Sequence, residues 1–233
     1  VAGAGNDDGQ TGVTMKRLAI FDCDGTLVDG QANVCLAMEE AFAETGLTAP
    51  SRTVIRRAVG LSLPQAMAML LPESSSQDQD MLAERYRLAF RRQRDAGLVY
   101  EPLFEGMEDL LRHLHGSGWT LAVATGKSDR GLAHCLAEHG ITGLFASLQT
   151  ADRHPSKPHP AMIEQVLFET AITAADAVMI GDTSFDMVMA QSAGVTALGV
   201  GWGYHDDDEL FASGARGVAQ TINELRTMLE AVQ

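Results

Sequence analysis

Asp22 and Asp24 stand two residues apart in DCDGTLVD (22–29), and two further carboxylates, Asp182 and Asp186, stand in GDTSFD (181–186). In an extended segment side chains two apart share one face, and Gly25 lets the chain turn sharply beside the first pair. Paired carboxylates repel one another unless a cation or a proton offsets the charge. Four of them suit a hard cation, and Mg²⁺ accepts only one or two alongside phosphate and water. The hydroxyl of Thr125 and the ammonium of Lys157 supply what such a site needs next, groups for the remaining phosphoryl oxygens. Taken singly, each residue has a plainer role. An Asp after a strand caps a helix or forms a turn, Thr125 or Ser184 alone is an N-cap, and Lys157 is a loop lysine. The set in chain order is what points to phosphoryl chemistry.

The elements that must carry these residues are legible in the hydrophobic pattern. Arg17 to Phe21 is a short apolar run that ends in acidic residues and Gly, the mark of a buried parallel strand feeding a loop. Residues 32–96 contain no such run. Val34, Met38, Ala41, Phe42 and Thr45 fall on one helical face with Gly46 as the stop, and further helices are expected at 51–58, 63–71 and 77–95. After Gly97 strands and helices alternate. Helices are expected at 107–116, 129–139, 159–171, 184–193 and 220–231, and strands at 119–124, 145–149, 177–180 and 195–199. That alternation implies βαβ crossovers and an α/β fold with a doubly wound parallel sheet, interrupted by a helical insertion. In such sheets ligands bind at the carboxyl ends of the strands. Asp22, Thr125 and Asp182 all follow or end strands there.

Composition narrows the partners. With 31 Asp+Glu against 17 Lys+Arg the net charge is −14, which argues against nucleic acid as a partner. The one dense basic stretch, Arg85 to Arg94, alternates with apolar residues like a solvated helix face. No apolar run approaches the roughly 20 residues of a membrane span, so no membrane association is expected. Cys23, Cys35 and Cys135 are odd in number and lack CxxC spacing, which fits a reducing cytoplasm, and the seven histidines show no zinc spacing. Residues 1–14 are Gly-rich and polar, without a basic start or apolar core, and read as a disordered leader before Met15.

The ordered set DCDGTLVD, VATGKS (123–128), SKPHP (156–160) and GDTSFDM (181–187) resembles the four motifs of the haloacid dehalogenase superfamily, over essentially the whole chain from Met15. The tail GVGWGYHDDDEL (199–210) is similar to phosphoglycolate phosphatases within it. The resemblance implies covalent phosphoryl transfer with Asp22 as nucleophile and Asp24 as general acid and then base. It implies Mg²⁺ held by Asp22, the backbone carbonyl of Asp24 and Asp182, with Asp186 a ligand through water or an orienter of Lys157. Thr125, the amide of Gly126 and Lys157 would neutralise the phosphoryl oxygens. An Asp two residues after the nucleophile marks the phosphatases and phosphomutases of the superfamily, so carbon–halogen and carbon–phosphorus cleavage are not expected.

The same resemblance divides the chain into a core, 15–29 with 98–233, and a helical cap, 30–97, hinged at Asp29–Gly30 and within 97–102. Arg57 and Ser62, with Arg56 and the Gly60–Leu61 turn, are the cap residues expected to reach the substrate. The expected substrate is a small phosphorylated metabolite, and the expected assembly a monomer or homodimer. A β-phosphoglucomutase shares fold and motifs, but RAVGLSLPQ (57–65) lacks a KGxSR-like cap loop. A pyrophosphatase and a sugar phosphatase are further alternatives. A phosphorylatable receiver would be roughly half this length and carry no helical block.

Overall fold

The structure, a computed structural model, describes residues 16–232; the leader read over 1–14 lies outside them. Its strands are β1 (Arg17–Phe21), β2 (Trp119–Thr125), β3 (Phe145–Thr150), β4 (Ala177–Gly181), β5 (Thr196–Val200) and β6 (Val218–Ala219). They form one sheet in the order β3-β2-β1-β4-β5-β6, with every pairing parallel.

The period-2 geometry of a strand explains how such apolar runs are used up. In β1, Ala19 and Phe21 enter one core while Leu18 and Ile20 enter the other; β2 divides Leu121 and Val123 from Ala122 and Ala124 in the same way. Both faces of the sheet are therefore covered. Helices α5 (Met107–Gly116), α6 (Asp129–Glu138) and α10 (Ile222–Ala231) supply the first core, and α7 (Ala161–Thr170) and α8 (Ser184–Ser192) the second.

Between β1 and β2 lies the helical insertion: α1 (Gln31–Thr45), α2 (Arg52–Arg57), α3 (Leu63–Leu70) and α4 (Ser76–Asp95). It has a core of its own, built from residues such as Met38, Phe42, Ile55, Met67 and Leu82. Local signals set its elements: Gly46 ends α1 in the left-handed region, and the Ser51 and Ser75 hydroxyls accept from the Val54 and Asp78 amides at the starts of α2 and α4. The two connections to the core run side by side, with Val28 bridged to Leu103 and the Asp29 amide donating to the Pro102 carbonyl at 2.9 Å.

After β5, two elements go beyond the sequence expectation. The acidic run at 206–209 begins a helix, α9 (Asp207–Ala212), because carboxylates in a first turn meet the positive end of the helix dipole. β6 has only two residues, too few for any periodicity to announce. Among the described residues no helix is long and apolar enough to cross a membrane.

Candidate active site

The strand order reverses beside β1: β2 and β3 lie on one side, β4 on the other. Asp22 follows β1 and Asp182 follows β4, so pairing of these strands brings the two carboxylates together at the reversal point; the Asp22 amide donates to the Ile180 carbonyl at 2.9 Å. Both side chains are fully buried. Asp186 joins them from the first turn of α8, held by a capping box in which Thr183 donates through its amide (3.1 Å) and hydroxyl (2.7 Å) to Asp186 Oδ2. Asp22, Asp182 and Asp186 each offer an oxygen within 4.8 Å of the other two.

Lys157, from the loop between β3 and α7, reaches into this cluster and is as buried as the acids. Its ammonium lies 2.8 Å from Asp22 Oδ1 and 2.6 Å from Asp186 Oδ1. Burial alone would lower its pKa; Asp186 and Asp22 outweigh that and raise it, so Lys157 stays charged. Burial pushes Asp22 up to about 7, against the pull of Lys157 and with the help of Asp186. Asp182 lies well above the usual carboxylate range, through burial first and then Asp22 and Asp186, although Thr26 Oγ1 (2.7 Å) and the Tyr204 amide (2.9 Å) donate to it.

The cluster fits a hard cation. Asp22 Oδ1 is engaged by the Cys23 amide at 2.7 Å and by Lys157, whereas Asp22 Oδ2 is buried with no hydrogen-bond partner. An orphaned carboxylate oxygen of this kind is costly unless something binds it. The donors are all oxygen, as Mg²⁺ prefers, and no histidine belongs to the group. Gly25, at φ +81°, lets the chain pass close: a Cβ there would lie 2.2 Å from Asp182 Oδ2 and 2.4 Å from the Tyr204 ring.

The Asp24 carboxylate stands apart from the three clustered acids. Lys127 Nζ sits 2.7 Å from Asp24 Oδ1 and 2.8 Å from Glu101 Oε1, and the Glu101 carbonyl in turn pairs with His139 Nε2 at 2.8 Å. Burial raises the Asp24 pKa while Lys127 opposes the rise. Neither Lys127 nor Glu101 stood out in the sequence. Lys127 directly follows the Thr125–Gly126 pair, yet a lysine in such a loop is ordinarily solvated, and Glu101 has no local pattern at all. The Tyr204 ring covers Gly25, and its hydroxyl is buried without a partner in surroundings that include Asp24 and Asp182.

The insertion lies against this face of the core. The Gly60–Leu61 turn meets Gly126 so closely that a Cβ on Gly126 would be 2.5 Å from the Gly60 carbonyl oxygen, and the Ser62 amide donates to Ser156 Oγ at 2.7 Å. Between insertion and core is a cavity of about 530 Å³ whose walls include Asp24, Ser62, Gly126 and Lys127. Thr125 ends β2, buried, with its hydroxyl accepting from the Lys127 amide at 3.3 Å. Arg57 does not line the cavity: its guanidinium donates to both carboxylate oxygens of Glu209 on α9 at 2.8–2.9 Å, and Arg56 donates to Gln31.

Comparison with known proteins agrees with this architecture. Residues 19–200 match the family model described as haloacid dehalogenase-like hydrolase. A probable phosphatase, IndB, from Dickeya dadantii is 36% identical over 91% of this chain and 92% of its own, and a phosphoglycolate phosphatase from Vibrio parahaemolyticus is 28% identical over 90% and 94%. The fold of a predicted phosphatase from Clostridium acetobutylicum superposes with a TM-score of 0.83 at 22% identity, covering 93% of this chain and 99% of that one. A haloacid dehalogenase-like hydrolase from Streptococcus pneumoniae gives 0.79 at 25% identity, with 92% and 98% covered. The chain belongs to the haloacid dehalogenase-like hydrolases and is a phosphatase of that family, similar to phosphoglycolate phosphatases.

Proposed function

We propose that the protein is a Mg²⁺-dependent phosphatase that hydrolyses a small phosphorylated metabolite through a phosphoenzyme on Asp22, with the helices α1–α4 acting as a cap over the site. One observation carries the reading: the unpartnered, buried Oδ2 of Asp22 stands where Asp182, Asp186 and the Lys157 ammonium converge. The three free, buried thiols support a reducing, cytoplasmic setting.

Asp22 attacks phosphorus, forming the oxygen–phosphorus bond as the ester bond breaks and its electron pair passes to the leaving oxygen. Asp24 gives that oxygen its proton, then takes one from water as the water oxygen attacks phosphorus and releases the Asp22 carboxylate. The pKa of Asp24, raised by burial, suits a group that must hold a proton and return it, and Lys127 fixes where its carboxylate lies. Lys157, the Thr125 hydroxyl and the Gly126 amide stabilise the nonreacting phosphoryl oxygens. Asp22, the Asp24 carbonyl and Asp182 would hold the Mg²⁺, with Asp186 acting through water or through Lys157. When bound, the ion neutralises phosphoryl charge as it redistributes in the transition state. The cap excludes bulk water, and the Gly60–Ser62 turn resting on Gly126 and Ser156 is the contact through which it closes.

A phosphate-release screen over phosphoglycolate, sugar phosphates, nucleotides and pyrophosphate, with a phosphomutase assay alongside, tests this. The expected result is Mg²⁺-dependent release with many turnovers, abolished by EDTA. Isomerisation in place of release, a long-lived stoichiometric aspartyl phosphate, or no activity with any of them in Mg²⁺ would overturn it.

A further inference from the structure

The arginines of α4 divide by face. Arg85 pairs with Glu44, and Arg92 with Glu40 and Glu44 of α1, pinning the two helices together. Arg87, Arg91 and Arg94 lie on another face, at the i, i+4, i+7 spacing that aligns side chains along a helix, and all three line the cavity. Arg87 is paired with Glu84, 3.4 Å away. Arg91 and Arg94 have no carboxylate partner among the described residues, nor has Arg130, which faces the same cavity from α6. Arg94 is partly buried, its Nε has no hydrogen-bond partner, and its guanidinium lies 5.2 Å from the centre of the Phe90 ring.

Three unpaired guanidiniums around one cavity are out of keeping with a chain of net charge −14. The carboxylates in the cavity wall are already engaged, Asp24 by Lys127 and Asp152 by the Asp129 amide at 2.8 Å. The reactive end of the site has its own cation in Lys157, so these arginines are surplus to the phosphoryl group. Guanidinium recognises carboxylate and phosphate through paired N–H donors. The wall also carries an apolar side, with Val34, Met38, Ile55 and Phe90 among its residues. At about 530 Å³ the cavity falls in the range of drug-sized ligand sites, and a phosphorylated two-carbon acid would leave most of it to water.

We propose, resting on the phosphatase reading above, that the substrate is an extended phosphate monoester. Its leaving group carries a second anionic group, carboxylate or phosphate, that binds Arg91, Arg94 and Arg130, and an apolar body between the two ends packs on Met38 and Phe90.

The test is kcat/KM for a matched panel in Mg²⁺: phosphoglycolate, 6-(phosphonooxy)hexanoate, hexane-1,6-diol bisphosphate, and hexane-1,6-diol monophosphate with its neutral end, with p-nitrophenyl phosphate as the reporter of bare phosphatase chemistry. One or both of the doubly anionic six-carbon esters is expected to exceed the neutral-ended ester and phosphoglycolate by roughly ten-fold or more, the scale of a charge-assisted hydrogen bond. Whichever wins identifies the distal group. Arg91→Gln with Arg94→Gln is expected to collapse the ratio of anionic to neutral ester toward one, and Arg94→Lys to retain part of it. Equal rates for neutral and anionic ends, or a ratio unmoved in the double variant, would overturn the inference while turnover of p-nitrophenyl phosphate left the phosphatase reading standing. No turnover of any ester, the reporter included, would overturn both.

Discussion

Lys127 Nζ lies 2.7 Å from Asp24 Oδ1, so a lysine from the loop after β2 holds the carboxylate three residues beyond the end of β1. Glu101 holds that lysine from the other side, at 2.8 Å. If Asp24 transfers the proton, Lys127 is a positioning residue for it. Lys127→Ala is expected to lower kcat by roughly 10–100-fold, the usual effect of removing a group that orients a catalytic one. Glu101→Gln should do so more mildly. The pH profile of kcat distinguishes this role from a structural one, since loss of the lysine removes the charge that opposes the raised Asp24 pKa and should move the profile upward.

Lys157 is the only cation touching the buried acid cluster among the described residues, and its two contacts are with Asp22 and Asp186. Lys157→Ala leaves both carboxylates buried without their counter-charge. The expected loss of stability is about 3–5 kcal/mol, together with loss of turnover. Added Mg²⁺ should recover part of the stability and none of the turnover. Chemical denaturation with and without the ion measures both effects.

The raised Asp22 pKa has a defined sign in stability. An unfolded Asp ionises near 3.9, whereas folded Asp22 holds its proton to about 7. The metal-free folded state therefore binds more protons than the unfolded chain across that window, and its stability falls as pH rises through it. Asp182, also raised, acts in the same direction. Glu39, Glu169 and Glu230, whose pKa values are lowered by their partners, act oppositely but only below the ordinary carboxylate range. In EDTA the thermal midpoint should be higher at pH 5 than at pH 7.5, and saturating Mg²⁺ should shrink or reverse the difference.

Gly126 offers a test of closure that leaves the backbone amide in place. A Cβ at this position would sit 2.5 Å from the Gly60 carbonyl oxygen and 2.7 Å from that of Leu61, so the Gly60–Leu61 turn must retreat. Gly126→Ala should lower kcat/KM by about 100-fold, as a misplacement of about 1 Å does, while Mg²⁺ affinity stays close to that of the parent protein. Isothermal titration with Mg²⁺ beside steady-state kinetics separates the two.

The fold was legible wherever pattern and punctuation agreed. The RLAIF strand, the one-sided face of Val34, Met38 and Phe42, and the later alternation of strand and helix all appear where the hydrophobic period placed them. The grouping at strand ends was legible for a similar reason: Asp22 and Asp182 follow apolar runs, and they meet Asp186 and Lys157 in one buried cluster. What escaped was set by tertiary contact. Arg57, read as a residue reaching for substrate, turns instead to Glu209, a partner 152 positions away. The basic stretch Arg85 to Arg94 looked like a uniformly solvated face, and only the packing of α4 across the cavity splits it into paired and unpaired arginines. The Lys127–Glu101 pair joins two loops far apart in sequence and leaves no periodicity in either.

The central claim is that the phosphoryl group passes through Asp22, and trapping it there is the most direct measurement. Asp24→Asn should keep Mg²⁺ binding but slow the proton-dependent steps by roughly 10²–10⁴-fold, so that with p-nitrophenyl phosphate, whose leaving group needs little protonation, the phosphoenzyme accumulates. Mass spectrometry of the acid-quenched Asp24→Asn protein is predicted to find one phosphoryl group per chain, on the peptide containing Asp22, and none in the Asp22→Asn, Asp24→Asn double variant. Steady phosphate release by the protein with no such adduct on Asp22 under any quench, or undiminished turnover by Asp22→Asn, would contradict the account.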